Sequence, residues 1–65
     1  MGEESASAEE LLQAYIGLSQ AWNYIGMTMK RQDSLKEDLS KIREEIWQAQ
    51  KSIIEIRNKI IERNK

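Results

Sequence analysis

An all-α helical hairpin that assembles into a coiled-coil-like bundle is the fold class this sequence predicts, and three observations carry the prediction. The first is a run of apolar residues at Leu35, Leu39, Ile42, Ile46, Ala49, Ile53, Ile56 and Ile60. Its steps alternate between four and three without a break, the pattern of a helix that lies along another helix. The second is an earlier stripe with the same alternation, through Leu11, Tyr15, Leu18, Trp22, Ile25 and Met29. The third is the phase between them. Continuing the first stripe past Met29 lands on the polar Gln32 and Lys36, one position away from Leu35. Two good stripes separated by a phase slip are what a turn between two helices produces.

Residues 1–6 are small and acidic and read as a disordered N-terminus, which leaves a single domain over 7–65. Ser7 and Glu10 stand at capping-box spacing, where the serine oxygen accepts an early backbone N–H and the glutamate reaches back. Glu9 and Glu10 then fall in the first turn, where the helix dipole favours negative charge. The first helix is therefore expected over about 8–31. From Leu11 to Met29 it carries no charged side chain. Leu12, Ile16 and Met27 widen its apolar surface, and Ala14, Gly17 and Ala21 form a small-residue strip that lets another helix approach. Gly17 and Gly26 each cost up to about 1 kcal/mol against Ala inside a helix, so each marks close packing or a tolerated weakness.

The segment 30–34 is the candidate turn. Lys30 and Arg31 suit the negative C-terminal end of a helix, and Ser34 with Glu37 makes a second capping box. The second helix is expected over about 34–64. No Gly or Pro marks this turn, and one frame runs on through Leu11, Ala14, Leu18, Ala21, Ile25, Thr28, Gln32, Leu35 and Leu39. The alternative is therefore one continuous helix in a coiled coil, about 80 Å long at 1.5 Å per residue, with the slip as a local change of supercoil.

In heptad labels, Leu39, Ile46, Ile53 and Ile60 occupy a, and Leu35, Ile42, Ala49 and Ile56 occupy d. A further row, Trp47, Ile54 and Ile61, falls at b, which a two-stranded coil keeps polar. A filled b row implies two neighbours, as in a bundle of three or four helices. Glu37–Lys41 and Glu55–Lys59 are Glu-first pairs at i,i+4, each worth a few tenths of a kcal/mol. Arg43 is placed to stack on Trp47 one turn later. One hairpin cannot cover both apolar faces of its second helix, so the simplest assembly is a dimer of hairpins. The predicted interface comprises both stripes together with Trp47, Ile54 and Ile61, and the two tryptophans are its large anchors.

Composition narrows the chemistry. The 65 residues include no Cys and no His, which removes disulfides, thiolate sites and the commonest general base and metal ligand. The carboxylate pairs Glu9–Glu10, Glu44–Glu45 and Asp33–Glu37 fall outside a and d, where a bundle builds a metal or acid–base site. No enzyme activity, cofactor or metal is expected. With no basic leader and no cysteine, a cytoplasmic location is expected.

The function expected is a non-enzymatic oligomerisation or protein–protein interaction module. Its partners would be further copies of itself, helices of a larger protein, or both. Two alternatives stay open. Lys36, Arg43 and Arg57 share the e row with Gln50, and a cation row along a long helix can track nucleic-acid phosphates. The uncharged stretch 11–29 is a candidate for contact with a membrane surface, although Gln13, Gln20 and Asn23 make it a poor lipid-facing segment.

Overall fold

The computed structural model describes residues 2–63 and shows the hairpin. Helix α1 runs over Gly2–Arg31 and helix α2 over Lys36–Arg63, joined through Gln32 and a 3-10 turn at Asp33–Leu35. The two helices lie antiparallel, with Arg57 meeting Ala8 at one end and Arg43 meeting Met29 toward the other. The Cα envelope measures 49 × 14 × 11 Å. A straight helix of 30 residues is about 45 Å long, so α1 spans nearly the whole length. The continuous-helix alternative is excluded.

Both predicted helix starts move. α1 begins at Gly2 rather than near residue 8, so residues 2–6, read as an acidic tail, extend the helix and Ser7 lies inside it. Nothing in 2–7 stops a helix. Glu3 suits the positive end of the helix dipole, and Ala6 and Ala8 have the highest helix propensity. At the turn, Ser34 sits within the 3-10 segment, and the cap position belongs to Gln32, whose side chain makes no capping hydrogen bond. Backbone groups close the turn instead. The Gln32 N–H donates to the Thr28 carbonyl at 2.8 Å, and the Leu35 N–H donates to the Gln32 carbonyl at 3.0 Å. Among the described residues no backbone takes a positive φ, which is why the turn needs no glycine. Lys30 and Arg31 do occupy the last turn of α1. Residue 64, the predicted end of the second helix, lies outside the described residues.

The seam between the helices differs from the a/d expectation. On α1 the half-buried residues include Leu11, Tyr15, Leu18, Ile25 and Met29, together with Leu12, Ser19 and Gly26. On α2 they are Leu39, Ile46, Ile53 and Ile60 of the a row, Arg43, Gln50 and Arg57 of the e row, and Ile54. α2 therefore packs on α1 through a and e. Successive helix residues are about 100° apart, which puts the d row roughly 75° to one side of this seam and the b row a similar angle to the other. Each row becomes a flank. The d-row residues Leu35, Ile42, Ala49 and Ile56 are exposed, as are Trp47 and Ile61 of the b row.

Candidate interaction surface

The seam is laced by a polar ladder with a seven-residue period. Near the turn, the Arg43 guanidinium lies over the Trp22 ring, 3.2 Å from its centroid, and its Nη1 donates to Met29 Sδ at 3.8 Å. In the middle, Gln50 Nε2 donates to the Tyr15 carbonyl at 3.1 Å and to Ser19 Oγ at 2.7 Å. At the far end, Arg57 Nε donates to the Ala8 carbonyl at 3.2 Å. Each step of seven up α2 (43, 50, 57) meets a step of seven down α1 (22, 15, 8). The Tyr15 and Ala8 carbonyls can take these donors because a carbonyl oxygen has a second lone pair beyond its helix bond.

α1 is shaped to receive the ladder. Gly26 and Ser19 lie one heptad apart, opposite Arg43 and Gln50. A Cβ built on Gly26 would stand 3.1 Å from Arg43 Nη2 and 3.2 Å from its Cζ, whereas one on Gly17 would meet nothing within 4 Å. Gly26 therefore marks close packing and Gly17 is the tolerated weakness. Arg43 remains incompletely satisfied, because its Nε is buried without a hydrogen-bond partner.

Two sequence expectations change as a result. Arg43 stacks across the seam on Trp22 rather than along α2 on Trp47; the cation beside Trp47 is Lys51, 5.8 Å from the ring centroid. The e row is also not a solvated cation row. Arg43, Gln50 and Arg57 point into the seam, and of the four only Lys36 is exposed.

Large apolar side chains remain accessible on both flanks. Among the described residues none is fully buried, and Leu35, Ile42 and Ile56 on the d flank keep 45%, 43% and 49% of their surface in solvent. On the other flank Trp47 keeps 52%. Trp22, Ser40, Arg43, Glu44 and Trp47 line a shallow groove there, continued along the helices by Tyr15, Gln50, Lys51 and Ile54. The outer side of α1 adds Tyr24 and Met27; Tyr24 belongs to neither stripe, and periodicity gave no signal for it. The accessible surface totals 5256 Å², against about 4,300 Å² for a compact monomer of 7.6 kDa.

The chain matches no family model, no curated protein and no solved structure. No helix among the described residues is long and apolar enough to cross a membrane. The predicted interface residues divide into two sets. Leu11, Tyr15, Leu18, Ile25, Met29, Leu39, Ile46, Ile53, Ile54 and Ile60 are half-buried, while Leu35, Ile42, Trp47, Ala49, Ile56 and Ile61 stand exposed on the flanks. Trp22, under the Arg43 guanidinium, remains 37% exposed at the seam's edge.

Proposed function

We propose that this chain is a non-enzymatic helical assembly module, whose hairpin completes its core by packing against further helices. One observation carries the reading: two helices laid together along their length bury none of the described residues and leave an apolar row on each side of the seam. Soluble monomers rarely expose large contiguous apolar patches, and where they do the patch usually marks an interaction site. Small domains without disulfides or metals commonly gain their stability from association. Cytoplasmic action fits a chain without cysteine.

Mass action gives the test. Anything that binds the folded state raises the melting midpoint as its concentration rises. Melting of the pure chain, followed by circular dichroism over a hundredfold range of protein concentration, should show a midpoint that climbs with concentration. A sharp, high midpoint independent of concentration would mean that the lone hairpin is sufficient, and the reading would fail.

A further inference from the structure

We propose that the d flank, carrying Leu35, Ile42, Ala49 and Ile56, is covered by a second copy of this hairpin packed face to face. This rests on the assembly-module reading and names its surface and its occupant. Two features of the molecule single out this flank and this partner, and a third shows that the face is large enough.

The first is the absence of charge. With α2 seated through a and e, the d row shares its side of the hairpin with Ala14, Ala21 and Thr28 of α1, by the antiparallel register of the ladder. None of these residues is ionisable. The opposite flank is different: by the same register its b row shares a side with Glu9 and Lys30 of α1, and Arg43 lines its groove beside Trp47. Covering that side would take ionised groups out of water, which is costly unless each is paired.

The second is self-complementarity. A two-fold dimer uses the same patch on both copies, so the patch must fit itself. The rim of the d flank is formed by Asp38, Glu45, Ser52 and Lys59 on α2 and by Glu10, Gly17, Tyr24 and Arg31 on α1, both read at heptad spacing. Each rim carries an acid at one end and a base at the other, in opposite senses. Laid with both turns at the same end, two copies bring Asp38 near Arg31 and Lys59 near Glu10. Laid end for end, they bring Asp38 near Lys59 and Glu10 near Arg31. Both two-fold arrangements put opposite signs together, the condition for electrostatic complementarity.

The third is area. The broad side of the Cα envelope is 49 by 14 Å, about 700 Å² before side chains widen it, close to the roughly 800 Å² per partner of a standard stable interface.

Sedimentation of two charge insertions tests the assignment. The chain and its Ile61→Glu variant, changed on the opposite flank, should both sediment as dimers, and Ile42→Glu should sediment as a monomer. A dimer that survives Ile42→Glu and is lost in Ile61→Glu would overturn the flank while leaving the module reading intact. A chain that is monomeric at every concentration, with a concentration-independent melt, would remove both. Because Ile42→Glu can also unfold a marginal hairpin, thiol reactivity supplies a second readout in a chain that otherwise has no cysteine. A maleimide should label the thiol of Ala49→Cys at least tenfold more slowly than that of Gln48→Cys at dimeric concentrations, and the gap should close on dilution. Equal rates at high concentration would overturn the proposal.

Discussion

Arg43 and Gln50 show how much of this hairpin rests on polar side chains placed where a simple coil has apolar ones. A guanidinium over a tryptophan face is worth about 0.5–2 kcal/mol, depending on desolvation, and its flat, weakly hydrated shape suits the ring better than an ammonium does. Arg43→Lys keeps the charge and loses the stacked plane, so it should lower stability by about 1 kcal/mol in a denaturant melt and change Trp22 emission. An unchanged melt and spectrum would place the Arg43–Trp22 contact outside the energetics. Gln50 supplies donors to the Tyr15 carbonyl and Ser19 Oγ. Gln50→Ala should cost about 1–2 kcal/mol, since it removes both bonds from a half-buried position. Ser19→Ala added to it should cost less than the sum of the single changes, as expected for groups sharing one hydrogen bond.

At the scale of the element, the two helices and their antiparallel pairing were legible from periodicity, because the stripes of Leu11–Met29 and Leu35–Ile60 are unbroken and slip phase between them. The angular position of the seam was not. The labels a and d assume a two-stranded coil, and Arg43, Gln50 and Arg57 look like solvated flanking residues under that assumption. The signal that could have found the ladder was the matching seven-residue rows: 43, 50 and 57 on α2 against Trp22, Tyr15 and Ala8, with the small Gly26 and Ser19 beside them. The capping boxes misplaced both helix starts because the segment before Ser7 holds no proline to stop a helix and because backbone bonds alone close the turn at Gln32. The two helical glycines test the seam geometry. Gly17→Ala adds a methyl in open space and should stabilise α1 by about 0.5–1 kcal/mol through helix propensity. Gly26→Ala brings the same gain in propensity but presses on the Arg43 guanidinium at 3.1 Å, so it should yield little or no net stabilisation. Equal gains at both positions, measured by thermal melting, would argue against the observed packing of Arg43.

At the scale of the whole molecule, the hairpin leaves an apolar row in solvent on each side of its seam. Its helices meet along nearly their full length, yet Ile42, Ile56 and Trp47 keep close to half of their surface in water. A domain of this size has little stability to spare, and the apolar flanks are the reserve from which association can draw more. The polar ladder fixes which sides of α1 and α2 face each other, and so determines which rows are left for a partner. On the proposal above, the d row receives a second identical hairpin, while the groove on the b flank carries Arg43 and Glu44 beside Trp47.

The most direct test is the molar mass of the chain in solution, by light scattering on a sizing column over a wide range of concentrations. A self-associating hairpin should give a species of 2 × 7.6 = 15.2 kDa that gives way to monomer only on strong dilution, with helicity falling as it does so. A well-folded species of 7.6 kDa at every concentration, its helicity unchanged, would contradict it.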